Sequence, residues 1–190
     1  MNRINNVNTI YVDFDNTIIN TISTIVKLYC EDFKYYKDFR LVHWTEIKSW
    51  DFRELRCASK EYINTYFNQQ RFFDNIEWMP WAKETLDKLY EKYKIVIVSS
   101  GYSPNLKAKE LWIKQHIPYA RFIGVNLKEH KDKSEIDMSD GIFIDDSRNN
   151  LFTSNALINV CFGDKYEWNE EWEGYRAYNW FDIRKLLLND

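Results

Sequence analysis

The sequence predicts an α/β fold: a central parallel sheet covered by helices, with a helical segment inserted near its start. Continuous apolar runs recur along the chain, each passing directly into polar residues, and helix-period patterns lie between them. β-Branched runs without alternation mark strands buried on both faces. Their alternation with helices marks doubly wound architecture. The rhythm breaks between residues 18 and 79, where no buried-strand pattern occurs.

The first strand is Thr9-Ile10-Tyr11-Val12, which runs into Asp13-Phe14-Asp15. Within the insertion, Thr21 to Phe39 sets Ile22, Ile25, Val26, Tyr29, Cys30 and Phe33 at helical spacing, and Lys60 to Phe73 does so with Tyr62, Ile63, Tyr66 and Phe67. Between them, His43 to Phe52 is aromatic and has no clear period. The insertion reads as a helical cap over the strand ends. Ala82, Leu86, Leu89, Tyr90 and Tyr93 then share one helical face before Ile95-Val96-Ile97-Val98, which runs into Ser99-Ser100-Gly101. Leu106, Trp112, Ile113 and His116 mark a further helix, which Pro118 ends. A weaker strand lies near Arg121 to Val125. Gly141-Ile142-Phe143-Ile144 runs into Asp145-Asp146, and Leu157 to Phe162 forms another strand. Ligands of such folds bind beyond the carboxyl ends of the strands, where the Asp and Ser clusters fall.

A chain of 190 residues suits one domain, or one domain with a sizeable insertion. Its 45% hydrophobic and 29% charged residues exclude extended disorder and collagen-like structure. No apolar run approaches the ~20 residues of a membrane helix, and Met1 to Asn6 lack the apolar core of a signal peptide. The expectation is a cytoplasmic protein with no membrane partner. A net charge of -3 argues against a nucleic acid polymer as partner, so an anionic substrate needs a metal or a few local cations. Cys30, Cys57 and Cys161 are odd in number and widely spaced, as buried reduced thiols would be. His43, His116 and His130 have no ligand spacing, and Trp168, Trp172 and Trp180 read as core or surface staples.

Asp13 and Asp15 stand two apart at a strand end, so an extended backbone points them to the same side. Two such carboxylates resist joint ionisation unless a cation intervenes. A bound Mg²⁺ is one solution, and a protonated carboxyl serving as general acid is the other. A carboxylate can also attack phosphorus to form an aspartyl-phosphate. Asp145-Asp146 repeats the pair on another strand, and Ser99 and Ser100 offer donors suited to a phosphoryl oxygen. Lys133 can offset the crowded anions, with Lys109 as its rival.

Asp13-Phe14-Asp15-Asn16-Thr17 resembles the Asp-x-Asp-x-Thr motif of the haloacid dehalogenase (HAD) superfamily of phosphatases. Ser99, Lys133 and Asp145-Asp146 resemble its second, third and fourth motifs. Within that superfamily the chain is most similar to the 5'(3')-deoxyribonucleotidases, through Tyr66-Phe67, Phe72-Phe73, Pro80-Trp81-Ala82, Lys109-x-x-Trp112, Lys131-Asp132-Lys133-Ser134 and Trp50-Asp51-Phe52. It departs from the family at Asn16, where many relatives have Gly, and at Ser99-Ser100-Gly101, which replaces Thr-Ser-Pro.

The resemblance implies a Rossmann-like three-layer core at 1–17 and 80–190 and a helical type 1 cap at 18–79. It implies a Mg²⁺-dependent phosphomonoesterase acting on deoxynucleoside monophosphates, with Asp13 as nucleophile and Asp15 as acid and base. The metal would bind Asp13, the backbone carbonyl of Asp15, and Asp146, with Asp145 behind them. Ser99, Ser100 and Lys133 would hold the phosphate. Trp50, Phe52, Phe72 and Phe73 would enclose the base, unless they pack the cap's own core. Rival readings are a phosphatase for a sugar phosphate, a non-catalytic binding protein on the same fold, and a phosphorelay receiver, which lacks such an insertion. A homodimer stays open.

Overall fold

The computed structural model describes residues 7–188. Six parallel strands form one sheet: β1 (Thr9–Val12), β2 (Lys94–Gly101), β3 (Arg121–Asn126), β4 (Gly141–Asp145), β5 (Ile158–Phe162) and β6 (Tyr175–Ala177), in the order β3-β2-β1-β4-β5-β6. The chain order reverses beside β1, and that switch point is where an open α/β sheet leaves a crevice for ligands. Val12 is level with both Ile97 and Ile144, and the Asp13 N–H donates to the Ile144 carbonyl at 2.8 Å. Asp13, Ser99 and Asp145 therefore leave their strands side by side.

Alternate residues of the central strands enter two cores. Ile10, Val12, Ile95, Ile97, Ile142 and Ile144 pack on one face with Leu86 and Leu89 of α4 (Ala82–Tyr90), Ile113 of α5 (Ser103–His116) and Ile183 of α7 (Trp180–Leu188). Tyr11, Val96, Val98 and Phe143 pack on the other with Leu151 of α6 (Arg148–Thr153) and Met138. These are the three layers that the continuous apolar runs require. At the start of β4, Gly141 lies so close to β1 that a Cβ would stand 2.3 Å from the Thr9 carbonyl oxygen and 2.7 Å from the Tyr11 ring. Only glycine permits that approach.

The segment between β1 and β2 is helical: α1 (Thr21–Phe33), α2 (Lys60–Thr65) and α3 (Gln70–Asn75), with short 3₁₀ turns at Trp44–Glu46 and Tyr66–Asn68. Its ingoing and outgoing segments pair through an isolated antiparallel bridge, with Met79 N–H to Ile18 O at 2.8 Å and Asn20 N–H to Glu77 O at 2.9 Å. Its apolar residues are continuous with the first core through Phe14, Ile18 and Ile19.

Two expectations need correction, and one strand was not expected. The first helix of the insertion stops at Phe33, not Phe39. Turns at Tyr36 and Phe39 fold the chain back, so that Phe39 meets Tyr29 at 5.9 Å without helical geometry. The helix expected over Lys60 to Phe73 is split, with Gln69 extended. There Asn105 of α5 donates its amide to the Phe67 carbonyl at 2.7 Å, capturing an acceptor that a continuous helix would use. Strand β6 went unpredicted because its three residues carry no apolar run.

Candidate active site

The loop from Asp13 to Thr17 turns sharply as it leaves β1. The Ile18 and Ile19 N–H groups both donate to the Phe14 carbonyl at 3.1 Å. Asn16 adopts a φ of 51°, a left-handed conformation that Asn tolerates better than most residues. The fully buried Trp180 donates its indole N–H to the Thr17 carbonyl at 2.7 Å, fixing the end of the turn.

Two charge clusters flank this loop. In the first, Asp13, Asp145 and Asp146 are all buried and bring carboxylate oxygens within 4.8 Å of one another. Lys133, itself buried, donates to Asp13 and, at 2.6 Å, to Asp145. Asp145 also accepts from the Ser147 N–H at 2.7 Å and the Asn150 amide at 3.1 Å. Burial pushes Asp13 up to about 7, with Asp145 and Asp15 adding to the rise and Lys133 opposing it. Burial also raises Asp146 well above the usual carboxylate range, again with Asp13 and Asp145 adding. For Lys133, burial works against the charge, but the carboxylates of Asp13 and Asp145 outweigh it and raise the ammonium above its ordinary value. Three buried carboxylates facing one cation leave negative charge to be met, and their hard oxygens suit Mg²⁺. The donor set therefore fits a divalent ion held by Asp13 and Asp146. The Asp15 carboxylate is absent from this cluster.

In the second cluster, Asp15 accepts from Thr21 Oγ1 at 2.8 Å through one oxygen and from Lys109 through the other. Lys109 Nζ also donates to Ser99 Oγ at 2.9 Å and to the Ser100 carbonyl at 3.2 Å. It is 1% exposed and lies 5.5 Å from the Phe14 ring, against which Trp112, one turn further along α5, packs edge-on. The buried Ser100 hydroxyl has no hydrogen-bond partner among the described residues. Asp15, Ser100 and Lys109 line a cavity of about 340 Å³ whose other walls include Trp50, Phe67, Asn64, Asn68, Asn105 and Leu127.

Of the four aromatics expected around a base, only Trp50 lines this cavity. Phe72 is fully buried and packs against Phe67 at 5.5 Å, while Phe52 is buried edge-on to Trp50 at 5.6 Å. Phe73 packs on Phe72 from further out, at 5.3 Å. These three support the cavity walls from behind. Phe67 and Tyr102 are rings on the wall that the sequence reading did not assign to it; the periodicity sets Phe67 in one continuous helix, whereas a 3₁₀ turn carries it to the cavity. Trp168 packs against the core as expected, and its indole N–H also donates to Asp146 Oδ2 at 2.9 Å, a contact the sequence does not signal. Trp180 does pack in the core, against Phe162 at 5.6 Å. Cys161 is buried, which pushes its thiol up to about 12, and all three cysteines are free.

The family described as 5' nucleotidase, deoxy (pyrimidine), cytosolic type C protein matches residues 5–190, nearly the whole chain. The chain belongs to this family. It is a hydrolase of phosphoric monoesters of HAD type. A 5'(3')-deoxyribonucleotidase of Clostridium acetobutylicum is 28% identical over 181 residues, covering 94% of this chain and 93% of its own. One from Bacillus subtilis is 25% identical over 189 residues, covering 94% and 98%. Among solved structures, a haloacid dehalogenase-like hydrolase from Streptococcus pneumoniae superposes with a TM-score of 0.65 at 12% identity, covering 96% of this chain and 99% of that one. A Bacillus subtilis protein described as a HAD-hydrolase and bound to magnesium gives 0.57 at 13%, covering 95% and 98%. These likenesses establish the fold, and the Rossmann-like parallel core agrees with the sequence expectation. Among the described residues, no helix is long and apolar enough to cross a membrane.

Proposed function

We propose that this nucleotidase hydrolyses deoxynucleoside monophosphates through a phospho-aspartate on Asp13. The observation that carries the reading is the division of the site. Asp13 lies in a buried carboxylate cluster, while Asp15, two residues on, faces a cavity with an aromatic wall. The nucleophile and the proton-transfer group thus sit in different electrostatic surroundings, as a two-step displacement requires.

Residues 18–79 act as a cap whose Trp50 and Phe67 flank the base, and the amides of Asn64 and Asn68 offer hydrogen bonds to its edge. The similarity to 5'(3')-deoxyribonucleotidases supports the deoxynucleotide class. Lys109 takes the phosphate together with Ser99 and Ser100, because Lys109 lines the cavity and the Ser100 hydroxyl has no partner among the described residues. Lys133, enclosed between Asp13 and Asp145, holds the nucleophile in place and keeps part of its charge neutralised. Asp15 donates a proton to the departing ribose oxygen, then takes one from the water that attacks the phospho-aspartate. Thr21 and Lys109 fix the orientation of its carboxyl.

Asp13, Asp146 and the backbone carbonyl of Asp15 would hold Mg²⁺. When bound there it supplies charge neutralisation and polarises the phosphoryl oxygens. The magnesium-bound HAD-hydrolase of similar fold supports this choice of ion.

The test is phosphate release from deoxy- and ribonucleoside 5'- and 3'-monophosphates and sugar phosphates, with Mg²⁺ and with chelator. Mg²⁺-dependent release from deoxynucleotides, with an acid-stable phosphoprotein that Asp13→Asn cannot form, is expected. Release from sugar phosphates alone would overturn the substrate class and keep the mechanism. Turnover by a folded Asp13→Asn protein would overturn the mechanism.

A further inference from the structure

The chain between β5 and β6 has no regular secondary structure from Gly163 to Gly174, yet it is held firmly. Trp168 lies at its centre. One side of its ring stacks on Tyr166, with centroids 4.4 Å apart and planes 3° from parallel, and the ring also meets Trp50 at 5.1 Å. Backbone and charge anchor the same stretch to the insertion. The Glu167 N–H donates to the Lys48 carbonyl at 3.0 Å, and Arg53 pairs with Glu167 at 2.6 Å. This effort aims one group. The Trp168 indole N–H reaches Asp146 Oδ2, which also accepts from the Asn16 amide at 3.4 Å, while Asn169 donates to the Asp146 carbonyl at 3.0 Å.

An indole N–H can only donate, so it accepts no competing role at a carboxylate. With Oδ2 engaged by Trp168 and Asn16, Oδ1 of Asp146 is the oxygen those two donors leave for a cation. We propose that Trp168 is a positioning residue for divalent-metal binding: its N–H fixes the Asp146 carboxylate, and its ring ties that carboxylate to Trp50 in the cavity wall. This inference rests on the reading of Asp146 as a metal ligand. Partners that orient a ligating group commonly change metal affinity by about 10–100-fold when removed.

The chemistry of two substitutions separates positioning from packing. Trp168→Phe keeps an aromatic ring in the stack and loses the N–H. Trp168→Gln loses the stack but carries an N–H donor the same number of bonds from Cβ as the indole nitrogen. The measurement is calorimetric titration of the whole, substrate-free protein with MgCl₂, with melting in chelator as the check on folding. Trp168→Phe should bind Mg²⁺ about tenfold or more weakly than wild type, and Trp168→Gln should stay nearer wild type. A packing role predicts the opposite ranking, and that result overturns the proposal, as does failure of both variants to fold. Asp146→Asn serves as the reference. If it abolishes Mg²⁺ binding while Trp168→Phe binds normally, the positioning role fails and the metal reading stands. If Asp146→Asn binds Mg²⁺ as wild type does, the metal reading itself fails.

Discussion

Replacing Lys133 by Met tests the electrostatics on which the site depends. Lys133 is 1% exposed on its side chain, and its partners Asp13 and Asp145 are 8% and 0% exposed. Methionine fills a similar channel and removes the cation that bridges those two carboxylates. Removing one member of a buried pair costs about 3–5 kcal/mol, because the other charge is left uncompensated. In a chain of this size each kcal/mol moves the melting temperature by about 2–4 °C, so the loss in chelator should be roughly 6–20 °C. The assay is urea and thermal unfolding of both proteins at neutral pH with chelator. Lys133→Met/Asp145→Asn gives a second arm. It removes a stranded charge while the new amide oxygen can still accept from the Ser147 N–H, so it should recover part of the loss. A single variant within about 1 kcal/mol of wild type, the size expected of a solvent-screened pair, would refute the argument.

Trp50→Leu should raise KM for deoxynucleotides with little change in kcat. Base stacking is worth about 1–3 kcal/mol, and an unchanged KM would remove Trp50 from the binding surface. Gly141→Ala should lower stability by about 3 kcal/mol, the upper end of ordinary overpacking, since its Cβ would meet the Thr9 backbone; a urea midpoint equal to that of wild type would count against that register of β1 and β4. In the insertion, Asp32 accepts from both Arg71 guanidinium nitrogens and from the Tyr66 hydroxyl, and the Arg71 bond is the main cause of its lowered pKa. A carboxyl whose pKa is lower folded than unfolded adds stability above its unfolded value of about 4 and loses it as pH falls through the folded value. Asp32→Asn should therefore cost about 1–2 kcal/mol near pH 7, discounted because Arg71 is partly exposed, and progressively less below about pH 4. An equal cost at both pH values, read from urea midpoints, would assign the effect to something other than the ion pair.

The central strands and the placing of the Asp and Ser residues at their ends were legible in the sequence because both are local. An unalternated apolar run has few options but a strand buried on both faces, and acidic residues that follow it directly must emerge at its carboxyl end. Asp13, Asp15, Ser99, Asp145 and Asp146 needed no more than that. The short strand β6 and the break between α2 and α3 carried no such mark, and in the second case Asn105 of a distant helix supplied the deciding hydrogen bond. The two lysines show the limit most clearly. Both stand near the right motifs, but only the packing shows that Lys133 is enclosed between Asp13 and Asp145 while Lys109 lines the cavity beside Asp15. The aromatic residues divide in the same way. Phe52, Phe72 and Phe73 look like Trp50 and Phe67 in sequence, yet the fold places three behind the cavity wall and two on it. Trp168 reaches Asp146 from twenty-two positions away, through an irregular loop with no periodicity. Periodicity and motif spacing report which strand end a residue leaves; which neighbour its side chain then meets is decided by contacts between segments far apart in the chain.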